Sequence, residues 1–445
     1  MASFLTSVHS SKRYLLDQNG VPFLVNADTP WGLIGGNPGG ATTAQGPTGW
    51  SQYFTDRASN GFNAALIDVG SGPDASSNQP FTTFPTLNSA YWANVDSMLA
   101  TAISNGISVY LGIADAYWLS TLVGGLPTVA QMTTYGQSLA TRWANKTTYP
   151  GLSWFFGNDY GGSGAGSGNG TNFDTLYEGL LTGFANAGDN RPVTIELGFD
   201  ESLSTDTTTW AARVSDNSVY TYNPTYEACL RAYAFSAPAM PAVFTEGTYE
   251  NATNGAHPAN PLDLRKQICW PLTCGCCGSF YGNDNLWPFA SGWQTQLDTT
   301  DVTQRKAINN AFAALAWWKL VPDTGNHLVT AGRGSQFAYA GHTQTANTAD
   351  PTYGHYVTAG VAADGSLAVI YNPDTTLNSI TISAAPLASN PTITAIDPTN
   401  GATSSLGWTT TPTKGINAGG DHDWLFVVNA SATVSPGISA QRLAF

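Results

Sequence analysis

The strongest constraint on this chain is a rhythm. Short, mostly apolar segments each lead into a polar or Gly-rich stretch, and then into a longer segment whose apolar residues recur three and four apart. Segments such as Ala64-Ala-Leu-Ile-Asp-Val69 and Leu152-Ser-Trp-Phe-Phe156 do not alternate polar with apolar. Strands of that kind belong in a parallel sheet covered on both faces. They are expected at residues 22–26, 64–69, 107–113, 152–156, 192–197, 218–222, 242–245 and 279–281. Helical spacing is expected over 50–60, 91–105, 129–145, 173–187, 262–271 and 305–320, with Gly61 and Gly106 placed to end the first two.

Eight such units predict an α/β fold, a (β/α)8 TIM barrel over residues 1–324. A doubly wound open sheet is the structural alternative. The absence of a Gly-x-Gly-x-x-Gly turn after the first strand weighs against its dinucleotide-binding form. The longest Gly-rich loops, 35–49, 70–86 and 161–170, all follow strands. That places them at the carboxyl face of the barrel, where such folds carry their chemistry. From about Asn326 the helical period stops. Short β-rich runs follow at 327–330, 356–358, 367–371, 380–382, 392–396 and 424–428, separated by turn clusters such as Asn372-Pro-Asp374. This predicts a small antiparallel β-sandwich over 325–445. It is either a carbohydrate-binding module or a cap packed on the barrel. The lack of an aromatic row favours the cap.

Composition narrows the ligand. Only 10% of residues are charged, against about 25% in an average domain. Sixteen Lys and Arg against thirty Asp and Glu give a net charge of -14, which repels phosphate backbones and anionic lipid. No nucleic acid and no membrane partner are expected, and no run of eighteen apolar residues is present. Fourteen Trp and nineteen Tyr in a weakly charged chain suit neutral sugars, which have an apolar face and hydroxyl edges. Trp31, Trp118 and Trp287 are candidate sugar platforms, with core packing as the alternative for each.

Met1-Ala2-Ser3-Phe4-Leu5 carries no basic stretch followed by a long apolar run, so no secretory signal is read there. Glycosylation sequons at Asn145, Asn169, Asn251 and Asn429 hint at an extracellular, secreted protein. Cys274-Gly-Cys276-Cys277 lacks a second ligand pair at zinc spacing. With Cys229 and Cys269 it is expected to hold buried thiols or one disulfide. No metal and no cofactor are expected, and the protein is expected to be a monomer.

A barrel without a cofactor motif directs attention to acids at strand ends. Asp159 follows the fourth strand in Trp154-Phe-Phe-Gly-Asn-Asp159, and Glu246 follows the seventh in Val243-Phe-Thr-Glu246. Strands four and seven face each other across an eight-stranded barrel. Cleaving a glycosidic bond takes one carboxyl to protonate the leaving oxygen and another to attack the anomeric carbon or activate water. The structural alternatives are a turn aspartate and a salt-bridged glutamate. Asp28, Asp68, Asp115 and Glu196 also lie near strand ends, where they could bind substrate hydroxyls. Asp28, in Asn26-Ala-Asp28-Thr-Pro-Trp31, is the best placed of them. A Gly-x-Ser-x-Gly elbow is absent, and the six His form no His-x-x-x-His pair.

Several segments in order resemble the apiosidase-like glycoside hydrolases. They are Tyr14-Leu-Leu-Asp17-Gln-Asn-Gly20-Val-Pro-Phe23, Asp28-Thr-Pro-Trp31, Gly61-Phe-Asn63, Tyr91-Trp-Ala-Asn-Val-Asp96, Trp154-Phe-Phe-Gly-Asn-Asp159, Tyr222-Asn-Pro-Thr-Tyr226, Glu246, Tyr281-Gly-Asn283 with Trp287, Trp317-Trp-Lys-Leu-Val-Pro-Asp323 and Asp423-Trp424. The resemblance implies a (β/α)8 barrel followed by a β-sandwich often labelled a collagen-binding domain. It implies that Asp159 is the general acid/base and Glu246 the nucleophile of a retaining glycosidase. Asn158 would bind the sugar's 2-hydroxyl, and Tyr222 would support the nucleophile. The expected substrate is a polysaccharide or oligosaccharide. Apiose removal, one member's activity, is not carried over, because the Cys274–Cys277 segment and the Gly-rich stretch at 161–170 depart from the family near the cleft. The rival readings are a non-catalytic carbohydrate-binding or adhesive protein, and a transglycosylase using the same site.

Overall fold

The computed structural model describes residues 2–35, 46–119, 126–162, 171–199, 201–252, 260–337 and 354–431. The Gly-rich stretches 36–45 and 163–170, the sequon Asn169 and the side chain of Trp118 lie outside the described residues.

Eight parallel strands form the expected barrel: β1 (Val25–Asp28), β2 (Ala64–Asp68), β3 (Ser108–Asp115), β4 (Leu152–Tyr160), β5 (Val193–Leu197), β6 (Asn217–Tyr220), β7 (Ala242–Glu246) and β8 (Gly278–Tyr281). Backbone pairing runs unbroken from β6 through β7, β8, β1, β2, β3 and β4 to β5. The remaining seam, between β5 and β6, is stitched largely by side chains. Ser204 Oγ donates to the Ile195 carbonyl at 2.6 Å and accepts from the Ser218 amide at 2.9 Å. Thr194 Oγ1 donates across the same seam to the Asp216 carbonyl at 3.0 Å.

The helices are α1 (Pro47–Ser59), α2 (Ser89–Ser104), α3 (Val129–Arg142), α4 (Asp174–Asn186), α5 (Thr225–Ala234), α6 (Pro261–Thr273) and α7 (Thr300–Ala313). Their starts follow local chemistry. Thr128 and Gln131 form a reciprocal capping box at α3. Asn88, Asn260 and Thr299 each accept a first-turn amide at α2, α6 and α7. The buried face of α2 is Tyr91, Trp92, Val95, Met98, Leu99 and Ala102, the stripe its spacing predicts. A two-stranded ribbon, Leu5–Val8 with Leu15–Asp17, covers the amino end of the barrel. The Leu5 amide there bonds Ser108 Oγ, at the first residue of β3.

The tail forms a six-stranded antiparallel sheet from β9 (Leu320–Pro322), β10 (Thr358–Ala362), β11 (Leu367–Asn372), β12 (Ser389–Ile396), β13 (Thr403–Gly407) and β14 (Trp424–Ser431), in the order β9-β10-β11-β14-β12-β13. The sheet thus begins at Leu320, which the sequence pattern places at the end of a helix. Its side chains alternate between two cores, as the two-residue period requires. Ala368, Ile370, Phe426 and Val428 pack on a short ribbon, Val329–Ala331 with Thr381–Ile382. Val369, Tyr371, Leu425 and Val427 share a core with Ile268, Cys269, Trp270 and Leu272 of α6. Both faces are therefore covered, the arrangement expected of a cap.

All five cysteines are buried thiols in that second core. Burial pushes Cys229, Cys269 and Cys274 well above the ordinary thiol range, so they act as small apolar groups. Among the described residues no group of His, Cys, Asp or Glu is placed to hold a metal, and no helix is long and apolar enough to cross a membrane.

Candidate active site

The carboxyl end of β4 is built around an unusual turn. Gly157, Asn158 and Asp159 have φ of 97°, 56° and 57°, all left-handed. The pairing of β4 with β5 slips there, between Phe156 and Tyr160. A Cβ on Gly157 would sit 2.1 Å from the Glu196 carbonyl, so only glycine fits. Two consecutive non-glycine residues in this region cost about 1–3 kcal/mol each. The outcome is a bulge that brings Asn158 and Asp159 to the barrel mouth, as bulges beside active sites do. Asn158 is further fixed by donating from Nδ2 to Asp115 Oδ2 at 2.7 Å. Asp115 is itself held by the Tyr117 amide at 2.6 Å.

Glu246 ends β7 opposite, half-buried, and two tyrosine hydroxyls act on its carboxyl as donors that lower its pKa: Tyr220 on β6 and Tyr249 in the loop after β7. Trp31 Nε1 lies 2.9 Å from the Tyr249 hydroxyl. An indole N–H can only donate, so Tyr249 accepts from it and turns its own hydrogen to Glu246. The Tyr222 hydroxyl bonds the Tyr220 hydroxyl at 2.8 Å, and when Tyr222 donates, the Tyr220 hydrogen is available to Glu246. Burial, and then the charge of Asp159, push Glu246 well above the usual carboxylate range, while the two phenol bonds pull it back. Glu196, fully buried at the end of β5, is pushed up by burial and then by Glu246 and Asp159.

Asp159 and Glu246 line one hollow of about 260 Å³, with Asn158, Tyr222, Trp31 and Trp287 in its wall. Six of the nine residues singled out by sequence thus converge. Asp28 does not. The strand expected at 22–26 lies at Val25–Asp28, which draws Asp28 into the barrel wall at 1% exposure. There its carboxylate is taken by Arg57 Nε at 2.6 Å, the Tyr53 hydroxyl at 2.7 Å and the Thr29 amide at 2.8 Å, so it is structural and outside the hollow. Asp115 is also buried, outside the residues that line the hollow, and accepts from Asn158 there. Trp118 stands in a short helix, Ala116–Leu119. Tyr117, Thr248, Tyr249 and Asp284 also line the hollow and were missed. Tyr117 lies in that same short helix and the other three in loops, each one to three residues beyond a recognised strand or motif, where no periodicity marks it. Burial, and then Asp159 and Asp115, raise the Tyr117 phenol to about 12.

The apiosidase-like catalytic-domain model matches residues 9–319, most of the chain. The chain belongs to the apiosidase-like family. Solved structures agree on the fold. A protein described as a glycoside hydrolase superposes with a TM-score of 0.76 at 18% identity, over 96% of this chain and 97% of its own. A family 5 glycoside hydrolase from Bacteroides vulgatus ATCC 8482 gives 0.76 at 17%, over 96% and 93%. No curated protein matches the sequence. Family and fold are those of glycoside hydrolases.

Proposed function

We propose that this apiosidase-like protein is a retaining glycosidase acting on an oligosaccharide or polysaccharide. The observation that carries this reading is the convergence of Asp159 and Glu246, from the carboxyl ends of β4 and β7, on one hollow walled by Trp31 and Trp287. Asp159 protonates the departing glycosidic oxygen while Glu246 attacks the anomeric carbon. Asp159 then takes a proton from water, which releases the sugar from Glu246. Once Asp159 carries the first proton, its charge no longer opposes ionisation of Glu246. The Tyr220 and Tyr249 donor bonds then favour the carboxylate that must attack. Asn158, its amide nitrogen engaged by Asp115, presents its carbonyl oxygen to a sugar hydroxyl. Exposed sequon asparagines at 145, 251 and 429 support an extracellular site of action.

A panel of aryl glycosides and polysaccharides tests the reading. Glu246→Gln and Asp159→Asn should each lower turnover of the responsive substrate about 10³-fold or more, with an unchanged circular-dichroism spectrum. The first product seen by NMR should keep its anomeric configuration, because double displacement requires the carboxyls to be about 5.5 Å apart, too close for an intervening water. An inverted first product removes Glu246 as nucleophile. Near-normal turnover by either variant removes the acid pair.

A further inference from the structure

Beside the hollow that holds the two acids lies a second, of about 290 Å³. The two share Tyr222 and Thr248 as a common edge. The far wall of the second comes from α6, the segment after β6 and, at Gly354, the approach to the six-stranded sheet. Barrel and tail therefore build it together. Each hollow alone is near the lower bound of ligand pockets, about 300 Å³.

The second hollow has a definite chemistry. Lys266 lies in its wall at 6% exposure, its ammonium over the Trp270 ring at 5.7 Å from the centroid. The ammonium has three hydrogens, and Asp263 Oδ1 accepts one at 3.2 Å. Thr225, 2% exposed in the same wall, has a hydroxyl with no hydrogen-bond partner among the described residues. The charges of Lys266 and Asp263 cancel, so the wall offers donors and acceptors without net charge. That combination suits the hydroxyls of a neutral sugar and gives a phosphate or carboxylate no advantage.

We propose that this second hollow is a subsite for a further neutral sugar unit of the same glycan, which crosses from the acids over the Tyr222–Thr248 edge. The substrate is then a chain of two or more units in place of a single glycoside. The inference rests on the glycosidase reading for its choice of ligand, but its test does not require turnover. Isothermal titration of the wild-type protein with neutral gluco-, manno-, xylo- and galacto-oligosaccharides of one to five units reads it directly. At least one series should gain affinity about tenfold between one unit and three. Lys266→Met, which keeps an unbranched side chain of similar length, should remove most of that gain and leave the single-unit affinity unchanged. Asp263→Asn, at a more exposed side chain, should act in the same direction if Lys266→Met proves unstable.

Affinity independent of chain length, no binding of any series, or equal losses at one and three units in both variants overturns the subsite. Tighter binding of uronate oligosaccharides than of all neutral series overturns the neutral-sugar assignment. The two readings fail separately. Turnover that survives Glu246→Gln while length dependence persists removes the acid pair alone. Loss of turnover without length dependence removes the subsite alone.

Discussion

At the barrel mouth, Asp159, Glu246 and Asp284 line one hollow, and none of its other described residues is Lys or Arg. At the junction between α6 and the six-stranded sheet, Asp423 is fully buried, yet it meets Arg265 through both oxygens at 2.8 Å. Tyr371 and Asn417 complete its bonding at 3.2 and 2.7 Å. Asp28 belongs with Asp423, since Arg57 neutralises it inside the barrel wall. The acids differ little in kind; what differs is what surrounds them. Those that hold the fold together face a guanidinium. Those at the mouth face phenols, an indole and one another, an arrangement that raises Glu246.

The sharpest way to break the comparison is to strip the junction of its cation. Arg265→Met leaves Asp423 buried without its partner and should cost about 3–5 kcal/mol of stability, read by urea unfolding. Adding Asp423→Asn should return part of that loss, because the stranded charge is gone. Turnover per folded molecule should not change, since Arg265 lies outside the hollow of the acids. A loss below about 1 kcal/mol in the single variant would place this pair with ordinary surface ion pairs.

How far the sequence could anticipate this contrast depends on what signal each part leaves. The apolar runs at 64–69, 107–113 and 152–156 mark strands because a covered parallel sheet needs them, and the structure has them. Gly157-Asn158-Asp159 is legible too, since Gly and Asn are the residues that accept left-handed backbone most readily. Asp28 misleads because a strand offset of a few residues turns a loop acid into a wall acid, and Arg57, its partner, lies a helix away in sequence. β13, Thr403–Gly407, escapes notice because it is an edge strand rich in Ser and Thr with three of its five residues exposed. Tyr249 escapes because its role is created by Trp31, from the segment after β1 and far away in sequence, and no local pattern records that contact.

Asp216 lets the comparison be tested away from the mouth. It is buried at the amino end of β6, and burial alone raises its carboxyl from 3.8 to about 7. The folded state therefore holds a proton that the unfolded chain releases. Stability from this group is fully present below pH 3.8 and is lost as pH rises toward 7. The slope should approach about 1.4 kcal/mol per pH unit inside that window. Unfolding measured from pH 4 to 8 should fall more steeply for wild type than for Asp216→Asn. Glu196 and Glu246 contribute slopes of the same sign to both proteins, so the difference isolates Asp216. Parallel curves would mean that Asp216 titrates like a surface acid.

The smallest effect probes how phenols do at the mouth what Arg265 does at the junction. Tyr249→Phe removes one donor to Glu246 and leaves the ring in place. A hydrogen bond to a charged group contributes about 1.5–3 kcal/mol, so turnover should fall roughly 10–100-fold. The sign of the pH change is fixed. With one donor lost, the Glu246 pKa rises further, a larger share is protonated at a given pH, and the acid limb of kcat/KM moves to higher pH. Tyr222→Phe, which removes the bond to the Tyr220 hydroxyl, should move that limb in the same direction but less. A Tyr249→Phe variant with reduced turnover and an unmoved acid limb would show that the phenol packs the hollow without tuning Glu246. The likeness between Tyr249 here and Arg265 at the junction would then fail.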